Sequence, residues 1–312
     1  MTSFAFVFPG QGSQAVGMLD AWGDHPAVRQ TLEEASTALG EDIGRLIQAG
    51  PKEQLDLTTN TQPVMLAAGI ACYRAWLAET GLKPAWVAGH SLGEYSALVA
   101  AGALTLADAL PLVRFRAQAM QEAVPVGTGA MAAILGVHAA AVREGCAEAA
   151  QASGEVVEAV NFNDPKQTVI AGTKAGVEKG CEVLKAKGAK RALPLPVSAP
   201  FHSSLMKPAA ERLKERLAAT TLLSPQMPVV NNIRVAIETD PQAIRQALYE
   251  QAFGPVRWVE VVQALRAQGA QVIIECGPGK VLAGMVKRIE PEVQATTVFD
   301  PASLEEAKRL VA

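Results

Sequence analysis

One seven-residue stretch, Ala88-Gly-His-Ser-Leu-Gly-Glu94, constrains this chain more than any other. The short apolar Trp86-Val-Ala precedes it, and Glu94-Tyr-Ser-Ala-Leu-Val-Ala-Ala, which suits a helix, follows. A strand that turns directly into a helix with a serine at the bend is the setting of a nucleophile elbow. The glycines relieve crowding around a strained backbone, and the free N–H groups that open the helix face whatever the serine attacks. Taken alone, Gly89-x-Ser91-x-Gly93 fits a glycine-rich turn with a chance serine equally well.

The surrounding pattern supplies the strands and helices such an elbow needs. Phe4-Ala-Phe-Val-Phe reads as a buried strand broken by Pro9-Gly-Gln-Gly-Ser-Gln14, either a plain connection or a loop that lends N–H groups to an anion. Helices are expected over 27–39 and 62–77, the second ending at Gly81-Leu-Lys-Pro84. Towards the other end come a strand in Met227-Pro-Val-Val-Asn-Asn, helices over 241–252 and 256–268, the strand Val272-Ile-Ile-Glu-Cys276, and a helix over 281–289. Such alternation implies a mainly parallel sheet covered on both faces. Between them the texture changes to strand 130–137, helix 139–152, strands 155–161 and 167–172, helix 175–187 and strand 191–197. That βαββαβ order is ferredoxin-like. The expected architecture is therefore α/β: a large catalytic domain of residues 1–126 and 198–312, with an inserted ferredoxin-like subdomain, 127–197, roofing the serine.

Composition narrows the function. With 312 residues, 49% hydrophobic and 19% charged, and a formal charge of −3, the chain can bury a large core and carries no global footprint for a nucleic acid. Cys72, Cys146, Cys181 and Cys276 are widely spaced without a C-x-x-C pair, which suggests neither a disulfide framework nor a zinc site. A reducing cytoplasm is the simplest setting, and no apolar run reaches the roughly 18 residues of a membrane span.

Three further features are candidates for chemistry. At about 100° per residue, Leu106, Leu110, Val113, Ala117 and Met120 form an apolar stripe on a helix expected over 106–123. Arg116 is the only charge on the flank it shares with Ala109, Leu112 and Ala119, so it must snorkel, pair with a carboxylate or meet an anionic ligand. Of the four histidines, His202 alone sits in a proline-pinned loop between elements, the place from which a base for Ser91 is presented, although a structural role fits a loop histidine too. His25 and His138 lie near helix starts, and His90 inside the elbow suits packing. The densest basic run, Lys185, Lys187, Lys190 and Arg191, is either a solvated face or a docking patch.

Together these residues resemble a known family. Pro9-Gly-Gln-Gly-Ser-Gln14, Gly89-His-Ser-Leu-Gly-Glu-Tyr-Ser96, the segment from Arg116 through Met120-Gln-Glu-Ala, Gly129-Ala-Met-Ala-Ala133, Leu193-Pro-Leu-Pro-Val-Ser198, His202 and Glu275-Cys-Gly-Pro-Gly279 occur in the order seen in the malonyl-CoA:acyl-carrier-protein transacylases of dissociated fatty acid synthesis. The resemblance implies an α/β-hydrolase-like large domain with a ferredoxin-like subdomain. It implies Ser91 as acylated nucleophile, His202 as base and later acid, and the amides of Gln11 and Leu92 as oxyanion hole. Arg116 is implied to hold the malonyl carboxylate, with Gln62, Met120 and Phe201 also at the substrate, and the Gln251 carbonyl to orient His202. Malonyl-CoA and coenzyme A are implied as substrate and product with no cofactor or metal, an acidic acyl carrier protein as partner, and a monomer as the acting form. Lys185, Lys187, Lys190 and Arg191 become a docking hypothesis for that carrier. One departure stands out: Phe201 in Pro200-Phe-His-Ser203 resembles the malonyl-selective acyltransferases of polyketide synthesis, which leaves that pathway as an alternative and disfavours a methyl branch on the substrate. A serine esterase or thioesterase using the same elbow is the other alternative.

Overall fold

Phe4–Phe8 runs through the centre of the larger sheet, and its period of two divides the core in two. Phe4, Phe6 and Phe8 face one side, where they meet Trp76 and Tyr73 edge-to-face at 5.3 to 6.2 Å between ring centroids. Ala5 and Val7 face the other, a second core built with Trp258, Val261 and Val286. A strand buried on both faces is what a parallel sheet between two helical layers requires. The computed structural model describes residues 2–197 and 199–312; Met1 and Ser198, where the sequence reading starts the two segments of the large domain, lie outside the described residues.

The described strands are β1 (Phe4–Phe8), β2 (Trp86–Gly89), β3 (Gly129–Leu135), β4 (Val157–Asp164), β5 (Gln167–Thr173), β6 (Arg191–Pro194), β7 (Val229–Val230), β8 (Val272–Cys276) and β9 (Gln294–Val298). The larger sheet has the order β7-β2-β1-β8-β9, and each pair in it is parallel. The smaller has the order β4-β5-β3-β6 with every pair antiparallel, the ferredoxin-like arrangement expected from βαββαβ. Helices Ala139–Ser153 and Lys174–Ala186 cover one of its faces. The other face carries Met131, Ala133, Val160 and Val169 against Leu195, Val197 and Phe201, and so hangs over the elbow.

Several contacts fasten this roof to the large domain. Val256 donates its N–H to the Val160 carbonyl at 2.8 Å and accepts from Phe162 at 3.0 Å. Arg288 pairs with the buried Asp164 at 2.7 Å. Val256 is therefore committed to the roof and the Arg257 N–H to the Asn232 carbonyl, and the helix expected from 256 begins at Trp258. Other boundaries moved for equally local reasons. The helix expected from 62 begins at Thr58, because the Thr61 hydroxyl bonds the Leu55 and Leu57 carbonyls and closes an extra turn ahead of Pro63. β6 stops at Pro194 rather than 197, since Pro194 and Pro196 cannot donate to a ladder. Elements without a sequence expectation include β9, the helices Ile43–Ala49, Lys52–Leu55 and Lys207–Ala219, and Pro301–Val311, which is capped by Asp300 and Ser303. No helix of the described residues is long and apolar enough to cross a membrane, and all four cysteines are free.

The elbow is held by close backbone approach. A Cβ on Gly89 would lie 1.9 Å from the Gly93 carbonyl, and one on Gly93 would lie 2.0 Å from the Phe8 carbonyl. β1, β2 and the helix Gly93–Ala100 can meet at this distance only without side chains there. Gly93→Ala is therefore expected to destabilise the fold by about 1–3 kcal/mol through overpacking. Urea unfolding checks it as a lowered midpoint with unchanged slope; an unchanged midpoint would show that β1 yields freely.

Candidate active site

At the end of β2 the chain reverses through Ser91, whose φ of 54° lies in the left-handed region that a non-glycine residue seldom occupies. His202 has φ of 66°, the same unusual conformation, in the Pro200-bounded loop. The two strained backbones bring their side chains together: Ser91 Oγ lies 2.7 Å from His202 Nε2. His202 Nδ1 lies 2.9 Å from the Gln251 backbone carbonyl, an oxygen that can only accept. Nδ1 therefore carries the proton, and bare Nε2 accepts from the Ser91 hydroxyl. Burial first, and then the positive Arg116, hold the His202 imidazole down to about 3 from its ordinary 6.5. It is thus a neutral base at physiological pH.

Arg116 is 1% exposed, and among the described residues no carboxylate forms an ion pair with it. It does not snorkel. Nη1 donates to Gln62 Oε1 at 2.7 Å, and Nη2 donates to Gln251 Oε1 at 3.0 Å and to Ser91 Oγ at 3.2 Å. The guanidinium carbon stands 5.5 Å from the centre of the Tyr95 ring, and Nε is buried with no hydrogen-bond partner among the described residues. A guanidinium held by neutral acceptors beside a nucleophile is a preformed receptor for an anion on the substrate.

Ser91 N–H is already spent on Asn232 Oδ1 at 2.7 Å. The amides of Gln11 and Leu92 have no acceptor among the described residues, and both residues line the same cavity of about 130 Å³ as Gln62, Ser91, Arg116, Met120, Phe201 and His202. Phe201 packs against Met120 and Met206 on one side and the roof residue Met131 on the other. Lys185, Lys187, Lys190 and Arg191 are not brought to this cavity. They lie exposed from the last turn of the helix Lys174–Ala186 to the start of β6, away from Leu195 just past its other end, and Lys187 pairs with Glu148 at 2.9 Å.

Several residues that build the site escaped the sequence reading. Asn232 clamps both sides of the elbow, its Nδ2 donating to the Gly89 carbonyl at 2.7 Å. The Gln251 side chain donates to the Ser91 carbonyl at 3.0 Å, so Gln251 serves His202 by its backbone and Ser91 and Arg116 by its side chain. Glu94 receives Asn232 N–H and Gln251 Nε2, both at 2.9 Å. His90 Nε2 meets Asn163 Oδ1 of the roof at 2.8 Å and its ring packs on Trp258. The one available signal was Asn231-Asn232 directly after a strand, where the carboxyl ends of parallel strands meet a cleft.

A serine–histidine pair on a parallel-sheet elbow, roofed by an antiparallel sheet and facing a buried arginine, defines an acyl-transferring site. Residues 5–299 match the acyl transferase domain, and the chain belongs to that family. Within it, the malonyl CoA-acyl carrier protein transacylase of Escherichia coli (strain K12) is 53% identical over 311 residues, 99% of this chain and 100% of that one. The crystal structure of the acyl-carrier-protein S-malonyltransferase from Burkholderia pseudomallei 1710b superposes with a TM-score of 0.97 at 65% identity, covering 99% of this chain and 100% of that one. A malonyl-transacylase solved in complex with a type II polyketide synthase acyl-carrier protein superposes at 0.96 with 49% identity, covering 99% and 100%.

The buried, neutral His202 makes a pH prediction. A depressed value means the base stays deprotonated, and competent, until the pH falls far below 6.5. Inactivation of the free enzyme by a neutral serine-directed fluorophosphonate is expected to keep its rate from pH 8 to about 5. A midpoint at the ordinary histidine value would refute the burial argument.

Proposed function

We propose that this protein transfers the malonyl group from malonyl-CoA to the phosphopantetheine thiol of an acyl carrier protein, by a ping-pong route through malonyl-Ser91. The observation that carries this reading is the buried, carboxylate-free Arg116 within 3.2 Å of Ser91 Oγ. The names of full-length relatives at 53% and 65% identity support it. In the first half-reaction Ser91 Oγ attacks the thioester carbonyl while His202 Nε2 takes its proton. The oxyanion is received by the Gln11 and Leu92 amides, the carbon–sulfur bond breaks, and His202 returns the proton to the coenzyme A thiolate. The carrier thiol then reverses these steps on the serine ester.

Arg116 holds the malonyl carboxylate throughout, with Gln62 and Gln251 as the acceptors that release it to the substrate. An acetyl group leaves that guanidinium without an anionic partner, which discriminates against it. Phe201 closes the floor beside the α carbon, favouring malonyl over a branched analogue. The roof limits water, so the serine ester waits for a thiol. No metal or cofactor enters, because a thioester already carries an activated leaving group. We take a monomer as the acting form, and the free, mostly buried cysteines fit a cytoplasmic setting. We assign the product to fatty acid synthesis. The 49% identity to a transacylase solved with a polyketide carrier keeps polyketide supply as the second reading, with identical chemistry at Ser91.

Brief exposure to malonyl-CoA is expected to leave a malonyl adduct seen by mass spectrometry, absent in Ser91→Ala. Arg116→Ala is expected to shift the preference towards acetyl-CoA by at least about tenfold. No adduct at all would refute covalent transfer, and rapid loss of the adduct to water would favour an esterase. We further place an acidic carrier on the basic run. Lys185→Glu with Arg191→Glu is expected to raise KM for the carrier severalfold and leave KM for malonyl-CoA as it was; an unchanged carrier KM removes that surface.

A further inference from the structure

The structure holds one buried carboxylate close to Arg116 that the mechanism above does not use. Glu94 is 2% exposed and lies on the first turn of the elbow helix, one amide away from the guanidinium. Gln251 Nε2 donates to Glu94 Oε2 at 2.9 Å, and Gln251 Oε1 accepts from Arg116 Nη2 at 3.0 Å. A carboxylate only accepts and a guanidinium only donates, so the partners dictate which end of the amide faces which. The Gln251 dipole therefore has its positive end on Glu94 and its negative end on Arg116, joining the two charges in series. The same carboxylate oxygen accepts Asn232 N–H, and Asn232 holds Ser91 N–H and the Gly89 carbonyl.

We propose that Glu94 is a positioning residue and the relayed counter-charge of Arg116, acting through Gln251 to weaken the grip of the guanidinium on the substrate carboxylate so that the acyl group can leave on the carrier. The inference rests on the malonyl transfer assigned above. The electrostatic case is simple. A buried cation with no opposing charge would bind an anion as tightly as desolvation allows, and an acyl group so held would resist transfer out of the site. A carboxylate one amide away offsets part of that field without occupying the substrate position. Burial raises the Glu94 carboxyl to about 7, while Gln251, Asn232 and Arg116 pull it back down. At pH 8 the group is ionised and the counter-charge is in place.

Glu94→Gln keeps an acceptor for Asn232 and Gln251 and removes only the charge. With the full-length protein at pH 8, the ratio of kcat/KM for malonyl-CoA to that for acetyl-CoA is expected to rise about fivefold or more, chiefly through a lower KM for malonyl-CoA. A purely structural role would lower both values together and leave the ratio where it was. Whether or not the glutamine variant folds, Glu94→Asp supplies the converse test, in which a rise of the ratio counts against the proposal. It keeps the charge but shortens the reach to Gln251 and Asn232, so turnover on both thioesters is expected to fall with the ratio held within about twofold. A ratio that is unchanged or lower in Glu94→Gln, or that rises in Glu94→Asp, overturns the proposal. Failure of the unmutated protein to form any malonyl adduct on Ser91 is a separate result: it overturns the assigned transfer and this proposal with it.

Discussion

A guanidinium taken out of water must find partners, and at Arg116 this requirement organises the site. The side chain reaches Gln62 on the helix Thr58–Thr80, Gln251 on the helix Pro241–Phe253, and Ser91 at the elbow. Three segments far apart in sequence are thereby fixed around one planar fork of donors. None of the acceptors is charged, so the arginine is hydrogen-bonded without being neutralised in place. Truncating one of them would leave a buried donor unsatisfied, which costs about 1–3 kcal/mol, more for a charged group. The arrangement keeps its affinity for an anion because its own chain supplies only neutral acceptors in contact.

The catalytic pair rests on the same frame. Ser91 and His202 both occupy left-handed backbone, a conformation that costs about 1–3 kcal/mol in a non-glycine residue and persists only where the surroundings over-determine it. Asn232 supplies that restraint at Ser91 by bonding backbone atoms on either side of the bend. At His202 the Gln251 carbonyl and the Pro200-bounded loop do so. A neutral carbonyl in the place where many serine enzymes put a carboxylate has an electrostatic consequence. It sets the tautomer and favours an imidazolium less than a carboxylate would, so burial, and then the neighbouring arginine, keep the imidazole neutral.

Much of this was legible in sequence because the signals are local. The spacing of Gly89, Ser91 and Gly93 reports backbone crowding within five residues, and Arg116 stands out because a period of 3.6 places it on an apolar flank. The βαββαβ order survived because its strands and helices alternate cleanly. Asn232, the Gln251 side chain and Glu94 were invisible for the opposite reason: Gln251 meets Ser91 across 160 positions, and nothing in the local pattern marks an amide for that contact. β9 was missed because it is a short, partly exposed edge strand, Gln294-Ala-Thr-Thr-Val298, with little apolar alternation. The basic run shows the limit from the other side. Its charges were plain to read, but their distance from the cavity along β6 and the pairing of Lys187 with Glu148 depend on the fold.

In the proposed ping-pong route, the connection between roof and elbow is what would let an acyl group on Ser91 wait for a thiol. His90 bonds Asn163 across the gap, Val256 threads its backbone between Val160 and Phe162, and Arg288 anchors Asp164. The roof is therefore attached on the same side as the elbow, with β4 packed on the helices Trp258–Ala267 and Val281–Ile289. The cavity beneath it, about 130 Å³, suits a short acyl group better than a long one. In the proposed transfer a carboxylated three-carbon unit would lie in it with its acid end at Arg116 and its thioester end at Ser91. Selectivity for the acid end is thereby tied to the catalytic pair by one geometric fact: Gln251, which bonds Arg116, also bonds the Ser91 carbonyl and, through its backbone, His202.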